Sequence, residues 1–276
     1  MLTFLLVPAG LYVLWIAALY LLQDRLVFPR QMVPGGHRPA PRGAETLVHE
    51  AGPGRRTGAF FARAPDGPAR APAVVFFHGN AERAEDQEWL VDGYHRLGWS
   101  VLLVEYPGYG SSTGKPSQAS IREDALGFWR LLPLRADIDP RRIVLHGRSI
   151  GGGVAADLAA ELSRRGDPLP AGLVLQSTPE SVASLANRYG APSFLVRSPY
   201  RTGEALRSVD LPVLFLHGRY DRLAPIAGAR RLAALCPRSR LLEYDTGHNG
   251  LPSGAQFEDF WREIAAFLSS LPAGSR

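Results

Sequence analysis

Turning a serine hydroxyl into an acyl-transfer nucleophile takes an imidazole to remove its proton and a carboxylate to hold that imidazole. This chain offers all three on loops that follow apolar runs. Gly147-Arg148-Ser149-Ile150-Gly151 ends the run Ile143-Val144-Leu145 and leads into the small-residue segment Gly151-Gly152-Gly153-Val154-Ala155-Ala156. A G-x-S-x-G pentapeptide between a strand and a helix is the nucleophile-elbow pattern, whose flanking glycines leave room for a sharp turn. Such a turn projects the Oγ of Ser149 at the N-terminus of the next helix, where N–H groups and the helix dipole favour developing negative charge. The pentapeptide alone is weak evidence, and the neighbouring loops decide.

Two of those loops supply the partners. Val213-Leu214-Phe215-Leu216 runs into His217-Gly218-Arg219-Tyr220-Asp221, and Leu241-Leu242-Glu243-Tyr244 is followed by Gly247-His248-Asn249-Gly250. Of the seven histidines, His37 and His49 precede the main strand pattern and His95 falls inside a helix. His78, His146 and His217 each end a strand before a glycine, as buried turn residues do. His248 alone lies in a glycine-flanked loop after the last strand, which makes it the candidate base. Asp221 is the candidate orienting acid, with Asp245 and Asp210 as competitors; Asp245 is so close to His248 in sequence that it would have to fold back. The chain order Ser149, Asp221, His248 is one of the known triad orders. His78-Gly79-Asn80 follows Val74-Val75-Phe76-Phe77, so the backbone N–H groups of Asn80 and Ile150 are candidate oxyanion donors, with the His78 ring a structural part of the turn. The loop Tyr106-Pro107-Gly108-Tyr109-Gly110 reads as packing beside the site. Its continuation to Lys115 fails the phosphate-loop pattern at Tyr109 and Pro116. This chemistry requires neither metal nor organic cofactor, and no His/Cys/Asp/Glu cluster has zinc-like spacing.

Elements must bring these loops together. Candidate strands are Ala73–Phe77, Ser100–Glu105, Arg142–His146, Gly172–Gln176, Pro212–His217 and Arg240–Tyr244, alternating with helices near 82–97, 118–132, 152–165, 226–235 and 255–271. Unbroken apolar strands alternating with helices predict an α/β fold, a mostly parallel open sheet with helices on both faces, whose sites form at the strand C-termini. An antiparallel hairpin, Glu45–Glu50 and Thr57–Arg63 about the turn Gly52-Pro53-Gly54, precedes it. Residues 178–207 break the rhythm and read as a short cap insertion over the site.

The 276 residues suit one such domain, with globular hydrophobic and charged fractions of 46% and 21%. A net charge of +5 comes almost wholly from arginine and shows no clustered run, which excludes nucleic acid as a partner. Cys236 is the only cysteine, so no intrachain disulfide forms. Leu2–Leu22 carries no charge and, as a helix, spans roughly one hydrocarbon core. It predicts a membrane anchor at 1–22, a Pro/Gly-rich linker at 23–44 and the catalytic domain at 45–276. A cleaved signal peptide lacks its basic start and A-x-A site here, and an interfacial or packed helix is the other alternative. Arg25, Arg30, Arg38 and Arg42 after the span place the domain in the cytoplasm by the positive-inside rule.

Jointly, His78-Gly79-Asn80, Tyr106-Pro107-Gly108-Tyr109-Gly110, the elbow with Gly152, His217-Gly218-Arg219-Tyr220-Asp221 and Gly247-His248-Asn249 resemble the α/β-hydrolase superfamily over roughly residues 45–271. With the N-terminal hydrophobic helix, the chain is most similar to a membrane-anchored group related to serine aminopeptidases and protein depalmitoylases. That resemblance implies serine hydrolase chemistry on a carboxylic ester or thioester. The substrate would be a small molecule, a lipid-like ester or an acylated protein. A serine at the elbow disfavours the epoxide hydrolases and haloalkane dehalogenases, which carry aspartate there. Two alternatives stand beside it. One is an aminopeptidase-like activity, which needs an acidic cap residue such as Glu180 or Glu204 to bind an amino terminus. The other is a catalytically silent membrane-tethered scaffold.

Overall fold

Strand-forming runs of valine, leucine, isoleucine and phenylalanine pack both faces of one sheet. The computed structural model describes residues 2–33, 38–52 and 54–272. Its strands are β1 (Glu45–Glu50), β2 (Arg56–Ala62), β3 (Ala71–Phe77), β4 (Ser100–Val104), β5 (Ile138–Arg148), β6 (Gly172–Gln176), β7 (Val213–Gly218) and β8 (Ser239–Tyr244). They lie in the order β1-β2-β4-β3-β5-β6-β7-β8, antiparallel for the first two pairings and parallel from β4 onward. Along β3, Ala73, Val75 and Phe77 enter one core, while Val74 and Phe76 enter the other. Both faces are therefore dry, which is why these strands show no polar alternation.

The helices are α1 (Leu2–Val27), α2 (Glu88–Arg96), α3 (Gln118–Leu131), α4 (Ile150–Arg165), α5 (Val182–Asn187), α6 (Thr202–Arg207), α7 (Ile226–Ala234) and α8 (Phe257–Ser270). Side chains of α3, α4, α6 and α7 fill the first core, and those of α2 and α8 fill the second. The sheet with helices on both faces is the architecture the sequence predicts.

Two elements differ from expectation. The expected helix over 82–97 is a short 3-10 turn, Ala84–Asp86, followed by α2. The buried carboxylate of Glu105 explains the break, because its Oε2 accepts the Ala84 N–H and so diverts the chain. β5 begins at Ile138, ahead of Arg142, because Ile138 pairs with Ala71 before a register shift. Residues 34–37, in the expected linker, and Pro53, in the hairpin turn, lie outside the described residues.

The interrupted stretch 178–207 is a small cap of α5, a 3-10 turn at Ser193–Leu195, and α6. α1 runs unbroken through Pro8 to Val27, long and apolar enough to cross a membrane, with Ile16, Leu19, Gln23 and Val27 half-buried and most of its other described side chains exposed. Phe28 then plugs into the core at 1% exposure, edge-on to Tyr200.

One buried titratable group in this scaffold sets a pH limit. His146 is wholly buried in β5 and its Nδ1 meets the Tyr94 hydroxyl at 2.9 Å. Burial pushes its pKa down to about 3. Between that value and the ordinary 6.5 the unfolded chain binds a proton that the native protein refuses. Stability is therefore present above pH 6.5 and falls as pH drops through this window, by up to about 1.4 kcal/mol per unit. His146→Gln is expected to reduce the loss between pH 7 and about pH 4.5 by roughly 2 kcal/mol. Guanidinium unfolding at both pH values checks this, and equal losses in the two proteins would refute it.

Candidate active site

The elbow forms because β5 must reverse into α4 within one residue. Ser149 takes φ 54° and ψ −122°, a conformation that L residues occupy only when their surroundings impose it. The imposing contacts are identifiable. The Ser149 N–H donates to the Gln176 carbonyl at 2.8 Å. A Cβ on Gly147 would stand 2.1 Å from the Gly151 carbonyl oxygen, and one on Gly151 2.0 Å from that of Phe77. The two glycines thus let the turn close on itself and let α4 press against the end of β3.

The loops after β7 and β8 meet the serine. His248 Nε2 lies 2.9 Å from Ser149 Oγ, and His248 Nδ1 lies 2.7 Å from Asp221 Oδ2. Asp221 Oδ1 accepts the N–H groups of Leu223 and Ala224 at 2.9 and 2.7 Å. Burial alone would raise this carboxyl. Hydrogen bonds from His217, His248 and the Ala224 N–H outweigh burial and hold it well below the usual carboxylate range. An ionised acceptor at Nδ1 fixes the tautomer, leaving Nε2 free to accept the Ser149 proton. Asp245, the competing acid, is paired instead with Arg219 at 2.7 Å.

The N–H of Ile150 begins α4, and that of Asn80 lies in the turn after β3. Among the described residues neither donates to a protein acceptor. The turn itself is heavily braced. His78 is fully buried, its Nε2 2.7 Å from Glu105 Oε1, so the ring is structural. The Tyr106 and Tyr109 hydroxyls donate to the His78 and Asn80 carbonyls, each at 2.7 Å. Glu82 accepts the Gly79 N–H at 3.1 Å and pairs with Arg148, whose other terminal nitrogen reaches Asn249 Oδ1 at 3.1 Å. Arg148 thereby ties the turn at Asn80 to the loop carrying His248. Gln176 adds a second tie by donating to the Leu251 carbonyl at 2.8 Å.

These braces are the residues the sequence does not reveal. Glu82, Glu105 and Gln176 carry no motif. Tyr106 and Tyr109 lie in a recognisable loop, but nothing local says what their hydroxyls touch.

Comparison with known proteins bears on the fold and the family. Residues 72–196, from β3 through the elbow to the cap, match the family defined by the α/β hydrolase fold. An α/β hydrolase domain-containing protein of Arabidopsis thaliana, WAV2, is 30% identical over 288 residues, covering 94% of this chain and 91% of its own. The chain belongs to the α/β-hydrolase superfamily. An uncharacterized protein of Mycobacterium tuberculosis is 33% identical over 238 residues, covering 82% of this hydrolase and 80% of its own length. An α/β hydrolase from Vibrio vulnificus superimposes with a TM-score of 0.68 at 23% identity, over 82% and 81% of the two chains, which is a likeness of fold.

A cavity of about 420 Å³ lies over Ser149 and His248. Its walls are mainly apolar side chains of the cap, among them Val182, Leu185 and Leu195, together with residues of α1. No carboxylate lines it among the described residues. Glu180 pairs with Arg231 at 2.7 Å, and Glu204 lies 3.7 Å from Arg201, so both carboxylates named for an amino terminus face cations elsewhere.

Proposed function

We propose that this α/β hydrolase is a membrane-associated serine hydrolase that cleaves carboxylic ester or thioester bonds of acyl amphiphiles. The observation that carries this is the apolar cavity directly over a serine hydrogen-bonded to His248, which is in turn bonded to Asp221. His248 takes the Ser149 proton as Oγ attacks the carbonyl carbon, and the N–H groups of Asn80 and Ile150 hold the oxyanion. Collapse breaks the bond to the alcohol or thiol, which leaves with the proton from His248. Water, activated by the same imidazole, then attacks the acyl-enzyme and releases the acid. An acyl chain suits the cavity walls, and an ester needs no charged anchor. A peptide amino terminus would require one, and among the described residues the cavity walls offer none. The α1 helix supports membrane attachment, and the arginines after it favour a cytoplasmic domain.

The test is a fluorophosphonate label followed by p-nitrophenyl esters of increasing chain length. Stoichiometric adduct on Ser149 with hydrolysis of acyl esters is expected. A folded protein that neither labels nor hydrolyses would overturn the proposal.

Arg148 enters as a positioning residue. Arg148→Leu releases both loops while leaving the cavity intact. It is expected to lower kcat about 10- to 100-fold with KM nearly unchanged. Steady-state kinetics on a medium-chain ester check this, and a change confined to KM would contradict it.

A further inference from the structure

A helix that only anchors needs apolar side chains toward lipid and no polar contact with the domain it tethers. The second half of α1 behaves otherwise. Ile16, Leu19, Gln23 and Val27, spaced three or four residues apart on one helical stripe, line the same cavity as Ser149 and His248. Gln23 latches this stripe to the cap. Its amide nitrogen donates to the Leu195 carbonyl at 3.2 Å and its Oε1 accepts the Arg197 N–H at 2.7 Å. Tyr12 and Trp15 donate to the carbonyls of Gly190 and Tyr189 at 2.9 and 3.0 Å, and Asp24 pairs with Arg197 at 3.1 Å. Away from the cap α1 is bare, with Leu21 at 75% exposure.

Phe194, 79% exposed, and Tyr189 stand on the cap at and beside the residues that meet α1, as aromatic side chains do at a membrane boundary.

We propose that α1 is a substrate-binding element. Its Ile16–Leu19–Gln23 stripe is the wall along which a long acyl chain lies. The chain enters laterally between α1 and the cap from the leaflet that holds them, and the ester or thioester carbonyl reaches Ser149. The substrate class is thus a leaflet-resident amphiphile with a long acyl chain. This rests on the ester and thioester reading above, so its test must be separable from that reading.

The experiment uses the full-length chain in detergent micelles. Leu19→Trp fills the wall, and Leu21→Trp places the same side chain on the bare face of the same helix. The ratio of kcat/KM for p-nitrophenyl dodecanoate over butyrate is expected to fall at least about tenfold in Leu19→Trp. In Leu21→Trp it is expected to match wild type. Ile16→Trp replaces Leu19→Trp should the latter lose its melting transition. A wild-type ratio in a folded wall variant overturns the proposal and leaves the hydrolase reading standing. A diazirine-bearing palmitate analogue, photolysed on Ser149→Ala protein, reads the wall without turnover. Crosslinks to both the α1 stripe and α5, lost in the wall variant, support the inference even if no ester is cleaved. Crosslinks confined to the Leu14 and Leu21 side of α1 overturn it.

Discussion

Ser149→Ala is expected to reduce ester turnover by a factor on the order of 10⁴ to 10⁶ and to eliminate the fluorophosphonate adduct. In the proposed mechanism Oγ is the bond-forming atom, so its removal leaves neither His248 nor Asp221 a task. Residual cleavage would come from the N–H groups of Asn80 and Ile150 acting on bound ester and water. The variant is expected to fold. The positive φ of Ser149 is imposed by the Gln176 carbonyl and by the close approach of Gly147 and Gly151, none of which involves Oγ. Parallel melting curves with a lost adduct would assign the chemistry to this residue. Wild-type turnover by Ser149→Ala would exclude the mechanism.

The second large effect comes from a single methyl group. Gly151→Ala places Cβ 2.0 Å from the Phe77 carbonyl oxygen and 2.7 Å from that of His78. Both obstacles are backbone, in the end of β3 and the turn that carries Asn80, so no side-chain rotation relieves them. Either α4 retreats or the turn does. Each movement separates the Ile150 and Asn80 N–H groups, and loss of one oxyanion donor costs about 10²- to 10³-fold in kcat. The accompanying overpacking is expected to cost on the order of 3 kcal/mol or more. Gly203→Ala is the matched comparison. Its nearest obstacle is the flexible Leu235 Cδ1 at 3.3 Å, and a cost under about 1 kcal/mol is expected. Thermal melts and kcat for both variants check this. Wild-type values for Gly151→Ala would contradict the close packing of elbow and turn.

The contrast between the two glycines bears on what a sequence can disclose. Gly147, Ser149 and Gly151 are legible because a backbone reversal of this kind tolerates few residue types, and the pattern is local. Asp221 and His248 are legible for a different reason. Each closes a run that reads plainly as a buried strand, and strand ends of a parallel sheet converge. The sheet itself is read from apolar runs buried on both faces. The braces are another matter. Glu105 holds the Ala84 N–H, the His78 ring and the Tyr106 N–H together, and that role depends on where distant turns arrive. No window of sequence contains it. α1 hides its second role more completely. An apolar stripe has the same composition whether it faces lipid or a cavity. Gln23, a polar residue at the end of the uncharged run, is one local sign that the helix touches protein.

The latch between α1 and the cap joins residues 172 to 178 positions apart in the chain. Contacts of such separation close late, after most of the chain entropy has been surrendered elsewhere. During synthesis α1 precedes its partners by more than half the chain, and a bilayer can accept it long before the cap exists. The sheet, elbow and triad residues can then assemble beneath a cavity that still lacks one side. Under the membrane attachment proposed above, completion of the site is coupled to the arrival of the domain at the bilayer that holds its helix. A chain folded away from that surface would expose the apolar lining to whatever protein or chaperone it met first.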